Sequence, residues 1–281
     1  MLGQIKTKEG DLMRETKEQK IERVKKMLYE SSRVVCFVGI GTAMECGAIN
    51  LVNQDEAYRV EEKYHYSPEE IYSTGFYSAR TDFFYRFYHD EILSLETVPN
   101  ETYQAIRQIE IWGKLRACIT RNIYDLPRKA GIYNVIEMEG NIYHNYCTKC
   151  GKTFSIDYVK RANGTPRCDA CGATVRPAIR LNGEMLRNDV MTNAANACQD
   201  ADMLFILGTN LKDPAVGEIL QYFQTDRLVL ISKNEHYSDK MATICINDEV
   251  RNVLPKIVWK KSLSITGICG KMKRWFFEIF R

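Results

Sequence analysis

Arg33-Val-Val-Cys-Phe-Val-Gly-Ile-Gly41 is a continuous apolar run that ends in two glycines one residue apart. Without polar alternation, such a run is predicted as a strand buried on both faces, and the glycines mark the turn out of a sheet. Comparable runs lie at Leu115–Thr120, 134–138, Met203–Leu207 and 227–231. Helical spacing lies between several of them, at Glu101–Ile111, 189–201 and 215–223, and an amphipathic helix over 17–31 leads in. Short buried strands alternating with helices predict an α/β fold, a Rossmann-type doubly wound parallel sheet. Gly39 and Gly41 are then candidates for a phosphate loop, because glycine lets backbone N–H groups approach a diphosphate. A lone G-x-G is weak evidence; Gly208-Thr209-Asn210, also at a strand end, strengthens it, since such sheets bind ligands at the carboxyl edge. The competing reading is two tight strand-to-helix turns.

Two stretches break the alternation. One, 54–95, is rich in tyrosine, phenylalanine and charge. The other holds Cys147-Thr-Lys-Cys150 and Cys168-Asp-Ala-Cys171, with 17 residues between the pairs. Four thiolates in two C-x2-C knuckles suit a closed, structural Zn2+ site, with disulfides in a secreted chain as the alternative. Residues 1–20 are polar and charged, without the apolar core of a signal peptide, so the expected setting is cytoplasmic. The remaining cysteines (Cys36, Cys46, Cys118, Cys198, Cys245, Cys269) show no pattern. Both irregular stretches are expected to pack together as a smaller zinc-ribbon and helical domain. The expected division is a helical lead at 1–32, the sheet domain at 33–53, 112–140 and 179–257, a helical insertion at 54–111, the ribbon at 141–178 and a tail at 258–281.

At 281 residues, 45% hydrophobic and 27% charged, the chain can bury a sizeable core. Its net charge of +3 gives no indication of nucleic-acid binding. In the tail, Ile268, Met272, Trp275, Phe276, Ile279 and Phe280 share a helical face while Lys271, Lys273, Arg274 and Arg281 lie elsewhere. This is either a helix packed on its own domain or a basic amphipathic helix, with 262–281 meeting a membrane surface or a partner.

The chain resembles the sirtuins, the NAD-dependent protein deacylases. The matching pieces are Phe37-Val-Gly-Ile-Gly41 with Glu45-Cys-Gly47, Tyr66-Ser-Pro-Glu-Glu-Ile71, Phe84-Tyr-Arg-Phe-Tyr88, Ile119-Thr-Arg-Asn-Ile123, Val135-Ile-Glu-Met-Glu-Gly140, Asn145-Tyr-Cys147, Arg176-Pro177, Gly183-Glu-Met-Leu186 and Leu207-Gly-Thr-Asn-Leu211. They occur in family order from about residue 21 to 257. The resemblance implies NAD and an acyl-lysine peptide meeting in a cleft between two domains. It nominates Gly39, Gly41, Glu45, Asn122, Gly208, Thr209, Asn210 and Ser232 for NAD or ADP-ribose, and Cys147, Cys150, Cys168 and Cys171 for zinc.

The departures cluster at the chemistry. The family's acidic, aromatic and arginine run after the glycine loop is Ile49-Asn50-Leu51-Val52 here, and Ile40 and Ala43 replace its small and hydroxyl residues. Where the family has Gln-Asn-Ile-Asp, this chain has Arg121-Asn122-Ile123-Tyr124. Glu139 replaces the histidine general base, whose pKa near working pH suits the task better than a carboxylate's. Ile179-Arg180 replaces the apolar pair of the acyl-lysine tunnel, and Asn182 an aromatic. An arginine there is costly unless paired, and Glu139 is the candidate partner. The expectation is a sirtuin-fold protein impaired as a deacylase that binds a nucleotide, a protein or a peptide. The alternative is an NAD-consuming enzyme (ADP-ribosyltransferase, NAD glycohydrolase or deacylase) that uses Glu139 and Asn122.

Overall fold

The computed structural model describes residues 15–259, so the tail reading lies outside the described residues. Helix α1 (Lys17–Glu30) opens with a capping box in which Thr16 and Gln19 satisfy each other's backbone N–H. It leads into β1 (Val34–Val38), all five residues of which are buried, as the unbroken apolar run requires. After a short α2 (Ile40–Met44) come four helices, α3 (Gln54–Tyr64), α4 (Pro68–Ile71), α5 (Thr74–Ala79) and α6 (Thr81–Tyr88), then a π-helical turn, His89–Leu93. Helix α7 (Glu101–Ile111), β2 (Leu115–Thr120), α8 (Leu126–Lys129) and β3 (Val135–Glu137) return the chain to the sheet.

The cysteine segment forms β4 (Gly140–Cys147), β5 (Thr153–Phe154), α9 (Ile156–Arg161) and β6 (Val175–Ile179). Next follow α10 (Asn188–Asp200), β7 (Met203–Leu207), α11 (Pro214–Leu220), β8 (Leu228–Ser232), β9 (Ile244–Asn247) and α12 (Val250–Val258). The main sheet is six-stranded, in the order β3-β2-β1-β7-β8-β9, with every pairing parallel. β5-β4-β6 form a separate antiparallel sheet. Strand order reverses between β1 and β7, which marks the carboxyl edge there as the place where ligands of such folds bind.

The two irregular stretches do pack together. The Tyr85 hydroxyl donates to the Val175 carbonyl at 2.5 Å, and the Arg176 guanidinium lies 5.3 Å from the centre of the Tyr77 ring. Phe84, Tyr85 and Tyr88 stack or meet edge to face in a fully buried cluster. One boundary needs correction. Helix α7 falls inside the expected 54–111 insertion, yet it packs on α12 and β2 and belongs to the layer covering the main sheet. Its buried Ile106 and Ile109 need an apolar partner, which the late-arriving α12 supplies. No helix among the described residues is long and apolar enough to cross a membrane.

Candidate functional site: a cleft crossed by ion pairs

The glycine turns after β1 and β7 lie against each other. A Cβ on Gly41 would sit 2.7 Å from the Gly208 carbonyl oxygen, and Gly208 itself has φ of +67°. Their amides are already used: Gly39 donates to the Leu207 carbonyl and Gly41 to that of Gly208, each at 2.8 Å. These glycines are therefore needed for contact between the two turns, whatever else they bind. Asn122 is buried behind them. Its side-chain nitrogen donates to the Gly39 carbonyl at 3.0 Å, which braces the loop.

The structure thus brings Gly39, Gly41, Asn122, Gly208 and Thr209 to one point, with Asn210 beside them and Ser232 ending the neighbouring strand on the same edge. The Asn210 side chain accepts from the Lys212 N–H and shapes the turn. Glu45 is engaged elsewhere: its oxygens accept from the backbone N–H groups of Val250 and Arg251 at 2.7 and 2.9 Å, capping α12. Burial raises the pKa of this carboxyl, opposed by those two hydrogen bonds.

Glu139 stands at the junction of β3 and β4. Gly140 follows it in a left-handed conformation, φ +70°, where any Cβ would collide with the Ala178 carbonyl of β6. That close approach brings Arg180, one residue past β6, alongside Glu139. The Arg180 guanidinium grips the carboxylate with two bonds, Nε to Oε2 at 2.6 Å and Nη2 to Oε1 at 2.8 Å. Arg121, at the end of β2, donates from Nε to the same Oε1 at 3.1 Å and from Nη1 to Asp213 at 2.8 Å. Asp213 in turn accepts from the Thr209 hydroxyl at 3.1 Å and from the Ala215 N–H that begins α11. The result is a chain Arg180–Glu139–Arg121–Asp213–Thr209 that joins the ends of β2, β3 and β6 to the loop after β7. Glu139, the candidate partner for Arg180, does form that pair. Arg121 and Asp213 extend it, and Asp213 was not singled out because Asp213-Pro214 has the pattern of an ordinary helix start.

The loop after Arg180 is tied down as well. Glu184 accepts from Arg176 at 2.6 Å and from the Leu181 N–H at 2.8 Å. Asn182 exchanges backbone hydrogen bonds with Tyr72 and Thr74, and its side chain donates to the Glu69 carbonyl. Glu139 and Arg180 border two cavities: one of about 260 Å3 walled by Ile40, Leu51, Tyr72, Asn122 and Tyr124, among others, and one of about 890 Å3 reached past Gly140, Ile179 and Glu184. The buried Tyr72 hydroxyl finds no hydrogen-bond partner among the described residues, and burial, then Tyr124 and Glu139, push its pKa up.

Cys147, Cys150, Cys168 and Cys171 present sulfurs all within 4.8 Å of one another, the one group of three or more potential ligands so placed among the described residues. Sγ–Sγ separations of 3.4 and 3.7 Å are close to what a tetrahedral site with bonds of about 2.3 Å requires. The N–H groups of Cys150 and Lys149 point at the Cys147 sulfur and hold its thiol pKa down, to about 6, which favours the thiolate a metal binds. The donor set fits structural zinc, with no position left open for chemistry.

A profile of the Sir2 family matches residues 20–213. The chain belongs to the Sir2 family. As a sirtuin it is 34% identical over 240 residues to a Clostridium acetobutylicum protein named NAD-dependent protein deacetylase, covering 85% of this chain and 98% of that one. Its identity to a Clostridium perfringens protein of the same name is 32% over 242 residues, covering 86% and 99%. Among solved sirtuins, a His-to-Ala Sir2 variant with deacetylated p53 peptide and 3′-O-acetyl ADP-ribose superposes with a TM-score of 0.75 at 26% identity, covering 87% of this chain and 99% of that one.

Proposed function

We propose that this sirtuin has lost protein deacetylation and acts by binding, holding a nucleotide at the glycine turns, a protein or peptide in the cleft, or both. The observation that carries this reading is the grip of Arg180 and Arg121 on Glu139, the residue at the general-base position. With three guanidinium N–H groups on its two oxygens, the carboxylate has little left with which to take a ribose proton. By the family resemblance, Arg180 also falls at the apolar pair past which a neutral acyl chain would run, and Arg121 falls in the segment that holds the ribose and carboxamide. The smaller cavity, with the unpartnered Tyr72 hydroxyl in its wall beside Tyr124 and Glu139, supports a small polar ligand in place of an acyl-lysine. Isothermal titration of the zinc-loaded chain with NAD and ADP-ribose, beside a deacetylation assay on an acetyl-lysine peptide, tests the proposal. Measurable binding with peptide turnover at background is expected; turnover comparable to an active deacetylase overturns it.

A second reading rests on the position of Glu139, which lines that cavity together with Asn122. A carboxylate there can stabilise an oxocarbenium-like ribose, as in glycosyl transfer. On this reading the chain cleaves NAD, and Glu139→Gln lowers nicotinamide release by at least about tenfold. Equal release from both proteins removes it.

A further inference from the structure

The cleft leaves unexplained an apolar groove at the opposite edge of the sheet, near where β1 and β2 begin. It encloses about 880 Å3 between the ends of α1, α7 and α12. Tyr29, Trp112 and Trp259 line it and are 85%, 43% and 39% exposed, with Leu28, Ile257 and Val258 beneath. Large aromatic side chains side by side in solvent call for a cover.

We propose that the cover is this chain's own C-terminal segment, residues 260–281. Trp259, the last described residue, is itself part of the groove wall, and 22 residues follow it in the sequence. Their sequence supplies the matching surface. Met272, Trp275, Phe276, Ile279 and Phe280 follow the i, i+3, i+4, i+7, i+8 pattern of one apolar helical face. Lys271, Lys273, Arg274 and Arg281 fall off that face and stay in water when it docks. A stretch as long as residues 260–270 can span up to about 35 Å when extended, enough to turn back over the groove.

The groove rim favours this occupant over an anionic membrane. Membrane attraction needs cations free to meet lipid headgroups. Of the three lysines on the rim, Lys26 alone is exposed without a partner among the described residues; Lys25 is paired with Glu22 at 2.5 Å. Lys114 donates to the Leu28 and Tyr29 carbonyls that end α1, and lies 5.5 Å from the Tyr29 ring centre. Because the groove is at the sheet edge away from the glycine turns, docking leaves the cleft untouched, and the inference stands or falls apart from the proposed function.

Hydrogen exchange on the full-length, zinc-loaded chain tests it. Residues 25–30 and 108–114 should exchange about tenfold more slowly in the wild type than in a Trp275→Glu, Phe276→Glu double variant. The groove variant Trp112→Glu, at a half-exposed position, should speed exchange in residues 271–281 while α10 and the cysteine ribbon remain protected. Equal exchange in the wild type and both variants overturns the proposal. So does protection that rises with protein concentration, which would mean a second copy, or protection that appears only with phosphatidylserine vesicles.

Discussion

Glu139 and Arg180 make a bidentate pair that is only partly in water, the carboxylate side chain being 14% exposed. Removing one partner of such a pair leaves the other poorly solvated. Arg180→Ala should lower unfolding stability by about 1–3 kcal/mol in urea titration, because Arg121 alone then faces the carboxylate. Arg180→Ala combined with Glu139→Gln should lose less than Arg180→Ala does alone; an unchanged midpoint in the single variant would show that water already satisfies the carboxylate. Asp125 behaves differently. It adopts a left-handed backbone conformation, φ 55°, and burial, then the Glu137 carboxylate, raise its pKa to about 6. Its unfolded value is about 3.9, so the folded state binds this proton more tightly. The resulting stability is fully present below about pH 4 and is lost as pH rises through about 6. Asparagine also tolerates this backbone conformation, so Asp125→Asn should be more stable than the wild type at pH 7 and should flatten the stability profile between pH 4 and 6. Parallel profiles would refute this.

Among the elements, α12 depends on a residue that the family pattern nominates for the cofactor. Glu45→Ala removes the acceptor at its N-terminus and should lower stability by about 1–2 kcal/mol without weakening ADP-ribose binding. Weaker binding at unchanged stability would return Glu45 to the cofactor. The strands that were legible in the sequence, β1, β2, β3, β7 and β8, are short apolar runs, buried within the sheet except for β3, which lies at its edge and is only half-buried. β9 and α12 were not: Ile244-Cys-Ile-Asn247 is only four residues long, and Pro255 lies inside α12, where local rules forecast a break. Helix α7 was visible as a helix, but nothing in its own residues says which layer it covers. Its apolar partner comes some 140 residues later, and pattern within a short window carries no such information.

Across the whole molecule, the sirtuin scaffold and the zinc ligands could be read from motifs, because each rests on residues close in sequence. The Glu139–Arg180 pair was legible, as a candidate only, since a buried charge demands a partner but the sequence does not say which. Its continuation through Arg121 to Asp213 and Thr209 was not, because it joins four separate segments through side chains whose meeting only the fold decides.

That continuity restricts the paths by which this sequence could drift. Placing histidine at position 139 would leave Arg180 without its counter-charge and Arg121 with only Asp213, while the cleft would still be occupied by arginine. A single substitution at 121, 139 or 180 therefore leaves a charge in the cleft without its partner, and the effects of substitutions at these positions should be far from additive.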